Sequence, residues 1–246
     1  MKRAIIIGAT SGIGYEVAQR LAEQGWKLGI VGRRLNRLQT FQNSFPEKQI
    51  EICQADVTDH SSIETINSLI AKLGGMDLFF LSSGIGFQNV ILDPEIELNT
   101  VRTNGEGFMR MVTLAFNYFK QHATLKNRGH IAVISSIAGT KGLGVAPAYS
   151  ATKRMQNCYI ESLEQLARMQ HLPIDFTDIR PGFVATDLLG DKPYPLLMNV
   201  ASVADEIINA LQRRKRVIII DWRYRILVFF WRLIPRWIWV KLPVKN

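Results

Sequence analysis

Apolar residues follow two rhythms along this chain. Apolar runs of four residues end the stretches Lys2 to Ile7, Lys27 to Val31 and Asp77 to Leu81 and fill Ile131 to Ile134 and Val217 to Ile220, while Ile50 to Cys53 and Ile174 to Ile179 read as two further strands with acids among their apolar residues. Runs of that length suit strands buried on both faces. Between them the spacing turns helical: Val17, Ala18 and Leu21 follow the first run, and Ser61 to Leu73, Leu98 to Phe119, Pro147 to Met169 and Ser202 to Arg213 read as longer helices. Strands alternating with helices predict an α/β fold, with about seven parallel strands in one doubly wound sheet flanked by helices. Asn104-Gly105-Glu106-Gly107 interrupts the second long helix. Asn and two glycines inside an apolar helical pattern cost stability, so a local distortion with a purpose is expected there.

At 246 residues and 47% hydrophobic, the chain can bury one large core, and it has neither a Pro/Ser-rich linker nor an internal repeat. We expect one domain over 1–221 and a separate tail over 222–246. The net charge of +9 is uneven: 222–246 holds six basic residues and no acid. The basic excess therefore speaks about the tail, and without aromatic-interleaved basic patches in the body a nucleic-acid partner is not expected. Cys53 and Cys158 stand in apolar surroundings and read as buried free thiols, which points to a reducing, cytoplasmic compartment. The start of the chain lacks the apolar stretch of a signal peptide and reads as a strand. His60, His122, His130 and His171 show no metal-ligand spacing; surface or capping roles are expected, and no metal site.

The first strand runs into Gly8-Ala9-Thr10-Ser11-Gly12-Ile13-Gly14, and a helix follows. Small residues there let backbone N–H groups approach a pyrophosphate, and a helix N-terminus favours its charge, so Gly8, Ser11, Gly12, Ile13 and Gly14 are candidate cofactor contacts. The spacing is GxxxGxG rather than the general GxGxxG. The second strand ends in Gly32-Arg33-Arg34 with no acid beside it. An acid at this point would hold the ribose hydroxyls of NAD, whereas an arginine accommodates the 2′-phosphate of NADP. Arg33, with Arg34 second, therefore favours NADP(H) over NAD(H). Asp56-Val57 after the third strand can accept from the adenine amine. Ser83 and Gly84 in the turn after the fourth strand, and Pro181, Gly182 and Thr186 after the sixth, complete the loops at the strand ends where a cofactor lies.

Tyr149 and Lys153 are four residues apart on a helix and so share one face. A phenol with a pKa near ~10 exchanges protons poorly at neutral pH, and a nearby cation lowers that value. Bringing it to roughly 7 takes about 4 kcal/mol, which a lysine aided by a cationic cofactor ring can supply. Ser136, 13 residues before Tyr149, follows its rival Ser135.

Taken together, Gly8/Gly12/Gly14, Asp56, Asn104, Ser136, Tyr149 with Lys153, and Pro181-Gly182 resemble the short-chain dehydrogenase/reductase family over about residues 3 to 221. The resemblance implies a Rossmann-type fold and a catalytic set of Asn104, Ser136, Tyr149 and Lys153. Ser136 would hold a substrate carbonyl and Tyr149 would protonate it. Lys153 would lower the Tyr149 pKa and bind the nicotinamide ribose, and Asn104 would hold a water linking Lys153 to solvent. It also implies a homodimer or homotetramer. Two departures lie on the cofactor side: Ile7 stands where the family often has Thr, and Leu81-Ser82-Ser83-Gly84 where it often has Asn-Asn-Ala-Gly. The offset of 13 residues selects Ser136 over Ser135.

The tail holds Trp222, Trp231, Trp237 and Trp239, four of the five tryptophans. At helical spacing Arg225, Arg232 and Arg236 share a stripe, with Leu227, Phe230, Ile234, Trp237 and Ile238 opposite. Arginines and Pro235 interrupt it, so no span of ~20 apolar residues exists to cross a bilayer. A helix lying in a membrane interface fits this pattern; so does a subunit contact or a cover over the substrate cleft. The ending is similar to the tails of bacterial short-chain reductases that act on polyprenyl-linked sugars. Leu188 to Val200, with Pro193 and Pro195, reads as a substrate lid. The expected activity is an NADP(H)-dependent interconversion of ketone and secondary alcohol on a lipidic or amphipathic substrate at the inner membrane surface. A soluble sugar or small-ketone reductase, or a dinucleotide-binding scaffold without turnover, are the competing readings.

Overall fold

Alternation within single strands decides how the layers stack. The computed structural model describes residues 2–190 and 194–244. In β1 (Arg3–Ile7), Ala4 and Ile6 enter one hydrophobic layer and Ile5 and Ile7 the other. β4 (Leu78–Leu81) repeats this, with Leu78 and Phe80 against Phe79 and Leu81. A strand apolar on both faces must be covered on both, which helices on either side of the sheet achieve.

With β2 (Lys27–Gly32), β3 (Ile50–Gln54), β5 (Gly129–Ile134), β6 (Ile174–Arg180) and β7 (Val217–Ile219), these strands form one parallel sheet. The order is β3-β2-β1-β4-β5-β6-β7. Strand order reverses between β1 and β4, and a crevice opens at such a switch point beyond the strand C-terminal ends. The doubly wound parallel sheet expected from the apolar runs is present.

One layer is built from α1 (Gly12–Glu23), α2 (Leu35–Asn43), α7 (Val200–Gln212) and α8 (Trp222–Leu233), which contribute Val17, Phe41, Ile207 and Tyr224. The other is built from α3 (Ser62–Leu73), α5 (Phe108–His122) and α6 (Pro147–Met169), which contribute Ile66, Met111 and Ile160. α4 (Pro94–Val101) packs on α6, and α9 (Arg236–Trp239) is the last helix of the described residues. The periodicity reading missed α2, which buries only Leu38 and Phe41, and the start of α4. A signal for α4 was present in Asp93-Pro94, since Asp93 accepts from the Glu95 N–H and proline occupies the first turn. The expected interruption at residues 104–107 is a π-helical turn over Arg102–Gly107.

Two expectations need correction. Cys53 is buried but Cys158 is exposed, because it stands on the outer face of α6. His130 is neither a surface nor a capping residue: it is buried in β5, with Nε2 2.8 Å from Thr177 Oγ1. Burial and the nearby Arg214 push its pKa down to about 4, against a pull upward from Asp175. Among the described residues no group of His, Cys, Asp and Glu could hold a metal ion.

Candidate active site

The glycine-rich turn leaves β1 in a conformation few other residues take. Gly8 has φ +90° and Gly12 φ +57°, where a side chain would be strained. A Cβ on Gly8 would stand 2.6 Å from Ser83 N, and one on Gly14 2.2 Å from Gly8 O. The turn is thus pressed onto the exit of β4, with Ser83 and Gly84 beside it. Ser11 precedes α1 in an extended conformation and its side chain makes no capping bond, so the first N–H groups of α1 face the crevice without a side-chain acceptor. That is the cradle an anionic cofactor linkage needs.

β5 ends at Ser135-Ser136, and here two neighbouring hydroxyls take different partners. Ser135 Oγ donates to Asp178 and accepts from Asn157 Nδ2 at 2.8 Å. Ser136 Oγ accepts from the Ala138 N–H at 3.0 Å, which starts a 3₁₀ turn over Ile137–Thr140, and lies 3.4 Å from Pro181 O. Both border the cavity, but Ser135 is committed to a buried network in which Arg180 also donates to Asp178 at 2.6 Å.

α6 brings Tyr149 and Lys153 to the same place, one turn apart. Lys153 is buried; its Nζ donates to Ile134 O at 3.0 Å and to Gln156 Oε1 at 3.1 Å, and lies 5.7 Å from the centre of the Tyr149 ring. Burial lowers its pKa to about 8, with Asp178 pulling the other way. The expected direction for Tyr149 is overturned in the protein by itself. Its pKa is raised, because desolvation outweighs the stabilising influence of the Ser136 hydroxyl. Lys153 makes no hydrogen bond to the phenol among the described contacts, so its charge alone does not offset the loss of water.

The π-helical turn aims Asn104 inward. Its Oδ1 accepts from Ile85 N at 2.9 Å and its Nδ2 donates to Ile85 O at 2.6 Å, which pins the turn after β4. A protein group joins Asn104 to Lys153: fully buried Gln156 accepts from Lys153 and donates to Asn104 O at 2.8 Å. Gln156 falls one turn after Thr152 and three residues after Lys153, and nothing in its local sequence singled it out.

Residues 2–194 match the family model described as short chain dehydrogenase. The chain is a short-chain dehydrogenase/reductase. An uncharacterized oxidoreductase of Mycobacterium tuberculosis is 27% identical over 251 residues, covering 98% of this chain and 94% of that protein. Dehydrogenase/reductase SDR family member 7B of Xenopus tropicalis is 30% identical over 202 residues, 75% of this chain and 61% of that protein. A short-chain dehydrogenase/reductase structure from Burkholderia phymatum in complex with NAD superposes with a TM-score of 0.85 at 18% identity, covering 100% of this chain and 97% of that one. An alcohol dehydrogenase from Thermococcus sibiricus complexed with 5-hydroxy-NADP gives 0.79 at 21% identity, over 89% and 96%. The likeness to both structures concerns the fold. Family membership makes this an oxidoreductase that uses a nicotinamide dinucleotide on a small-molecule substrate.

In this oxidoreductase one cavity of about 630 Å³ connects the glycine turn to the substrate side. Gly8, Ser11, Gly12, Ile13, Arg33, Arg34, Asp56, Val57, Ser83, Gly84, Ser136, Tyr149, Lys153, Pro181, Gly182 and Thr186 all line it. Gly14 and Asn104 support the wall from behind through Gly8 and Ile85. Arg33 is 71% exposed and 3.7 Å from Asp56, whereas Arg34 is 43% exposed and donates to Thr10 Oγ1 at 2.8 Å and Ser11 Oγ at 2.7 Å. Asp56 Oδ1 accepts from Thr58 N at 2.9 Å. Asp187, unremarked in the sequence, stands 3.7 Å from Arg34 and 3.3 Å from Arg37.

The tail supplies part of the cavity wall, in line with the cleft-cover alternative, but the apolar face expected of it is divided, since Leu227 lines the cavity while Phe230 and Trp237 are exposed. Leu227 and Trp231 face inward and line the cavity, together with Val244. Tyr224 and Val228 are buried in the core. Tyr224 Oη accepts from Phe183 N at 3.1 Å and lies 3.2 Å from Pro195 O and Leu196 O. Trp239 Nε1 donates to Gly142 O at 2.8 Å, and Lys141 Nζ to Ile234 O at 2.7 Å. Of the lid expected at 188–200, residues 191–193, with Pro193, lie outside the described residues. Leu188, Pro195 and Leu196 border the cavity. Among the described residues no helix is long and apolar enough to cross a membrane.

Proposed function

We propose that this protein is an NADP(H)-dependent oxidoreductase that interconverts a ketone and a secondary alcohol. Its substrate is lipidic or amphipathic, and the protein works peripherally on the cytoplasmic face of a membrane. The observation that carries the reading is that Ser136, Tyr149 and Lys153 share one cavity with an apolar wall of Phe87, Leu143, Leu188, Leu196, Leu227 and Trp231.

When bound, the nicotinamide supplies or accepts the hydride. The chain's own groups do the rest. Ser136 Oγ donates to the carbonyl oxygen of the substrate and sets its orientation. Tyr149, whose proton is retained because burial raises its pKa, hands that proton from Oη to the same oxygen as the alcohol forms. In the reverse direction Oη takes the alcohol proton, and the charge on Lys153 favours the phenolate that precedes it. Two of the three Lys153 N–H bonds are spent on Ile134 O and Gln156 Oε1, leaving one for a ribose hydroxyl of the cofactor. Asn104 acts through Ile85, holding the turn with Ser83 and Gly84 under the cofactor.

For the cofactor, Gly8, Ser11, Gly12, Ile13 and Gly14 take the pyrophosphate, and Asp56 and Val57 the adenine. Pro181, Gly182 and Thr186 border the nicotinamide end. Arg33 and Arg34, with no acid at the end of β2, favour a 2′-phosphate and hence NADP(H) over NAD(H). Exposed Leu98, Val101 and Met109 on α4 and α5 support association into a homodimer or homotetramer.

NADPH consumption over ketones graded from short and water-soluble to long-chain tests this reading. Rates that rise with chain length support it. Equal or better rates on sugars and short ketones would make it a small-ketone reductase, and cofactor binding without turnover of any carbonyl would make it a scaffold.

A further inference from the structure

The inner face of α8 is spent on the cavity, yet the helix carries a second apolar face. Trp222, Ile226, Phe229, Phe230 and Leu233 recur at helical spacing on the side away from Tyr224, Leu227, Val228 and Trp231. They are exposed: Phe229 by 60%, Phe230 by 58% and Leu233 by 63%. Beyond Pro235 the exposed apolar series goes on with Trp237, Val240 and Leu242. An exposed series of eight large apolar residues on one short terminal segment is far from the scattered singles of an ordinary surface.

The charge around this face chooses its partner. Residues 222–246 carry no acid. Arg223 pairs with Asp221 and Arg225 reaches Glu206 at 3.4 Å, while Arg232, Arg236 and Lys241 are exposed and have no carboxylate partner among the described residues. A second copy meeting this face across a two-fold axis would set the same cations against one another with no acid on the patch to pair them. An anionic bilayer has the complementary chemistry: acyl chains for the aromatic stripe, headgroups for the cations, and an interfacial zone that suits Trp222 and Trp237.

We infer that the outer face of α8 and α9 is a docking surface for an anionic membrane, held rigidly to the substrate cavity through Tyr224. This deepens, and for its purpose rests on, the reading of a lipidic substrate. Tyr224 is the mechanical link. Its hydroxyl binds Phe183 N and lies beside Pro195 O and Leu196 O, and its ring packs so tightly on Gly182 that a Cβ there would stand 2.2 Å from Cζ. A helix anchored in a leaflet on one side therefore holds a cavity wall and the substrate loop on the other. An apolar molecule in the membrane surface lies one helix diameter from that wall, about 10 Å.

Deleting the tail does not test this, because it removes Tyr224 and Val228 from the core and Trp231 from the cavity. The test is sedimentation of the full chain with vesicles of phosphatidylcholine alone and of phosphatidylcholine with phosphatidylglycerol. It compares wild type with Phe229→Ser/Phe230→Ser and with Arg232→Glu/Arg236→Glu. The expected result is pelleting at least about tenfold greater with the anionic vesicles, weakened by salt and lost in both variants. NADPH binding and turnover of a short soluble ketone should remain at the wild-type level, which establishes that the variants are folded. Absence of vesicle binding, or binding that both variants retain, would overturn the proposal. So would a drop in oligomeric state of the serine variant in analytical ultracentrifugation, since that would assign the face to a second copy. Vesicle binding by a protein that turns over no carbonyl would leave the surface standing and remove the catalytic reading instead.

Discussion

Gly86 lies flat against the ring of Tyr149, so closely that a Cβ on the glycine would stand 2.7 Å from both Cδ2 and Cε2. The turn after β4 thereby sets the position of the phenol from above, while Lys153 lies 5.7 Å from the ring centre. Gly86→Ala forces the ring to move. A displacement of about 1 Å at a reacting group costs on the order of 10²-fold in rate. Turnover should fall by about that factor with NADPH affinity within a few-fold of wild type, read from steady-state rates and fluorescence titration. Unchanged turnover would mean that the ring position is not critical.

Tyr149→Phe keeps the ring and removes the proton. Loss of a positioned proton donor costs roughly 10²–10⁴-fold. Turnover on any accepted ketone should drop into that range while cofactor binding persists, and an active Phe variant would end the role assigned to Tyr149.

Arg33 and Arg34 border the cavity together, and Arg34 is held by Thr10 and Ser11. A charged hydrogen bond to a phosphate is worth about 1.5–3 kcal/mol. Arg33→Ala and Arg34→Ala should each weaken NADPH by about ten- to a hundredfold and leave NADH nearly unchanged, measured as dissociation constants. Equal losses for both dinucleotides would remove the phosphate contact.

Tyr224 is among the largest fully buried side chains of the protein although it belongs to the tail. Tyr224→Ala opens a cavity in the core and should cost about 3–5 kcal/mol. Tyr224→Phe gives up only the hydroxyl bonds, at about 1 kcal/mol. Urea unfolding of the two variants separates these amounts, and a tail that merely lies on the surface would give a small loss in both.

His130 sets an acid limit. Its pKa is about 4 when folded against an ordinary 6.5, so the unfolded chain binds a proton between those values that the folded chain refuses. Stability contributed by neutral His130 is complete above about pH 6.5 and is lost as pH falls toward 4, by about 3 kcal/mol in all. Urea midpoints across that window should fall in wild type and change less in His130→Gln. Parallel slopes would show that another group controls the acid limit.

How much of this was legible beforehand differs by element. Five apolar runs and the two mixed stretches at Ile50 to Cys53 and Ile174 to Ile179 sufficed for the sheet, because a strand covered on both faces announces itself within four to six residues. The Asn104 interruption was visible for a similar local reason, as Asn and Gly cannot continue an apolar helix quietly, and it became the π-helical turn. Cys158 misled because an apolar neighbourhood in sequence says nothing about which side of α6 faces the core. The Tyr149 pKa misled because proximity of a cation is readable from i, i+4 spacing, whereas the extent of desolvation is not. Gln156 was invisible, since its two partners lie on different elements.

Local order along the chain therefore determined the α/β architecture and the family, because glycine turns, strand ends and helical spacing each act within a few residues. Tertiary structure decided what depends on elements distant in sequence. It turned Leu227 and Trp231 inward and Phe229 and Phe230 outward, bonded Ser135 rather than Ser136 to Asp178, and set Tyr224 against Gly182. Both faces of α8 are apolar, and no pattern within twelve residues can say which of two apolar faces a distant loop will cover.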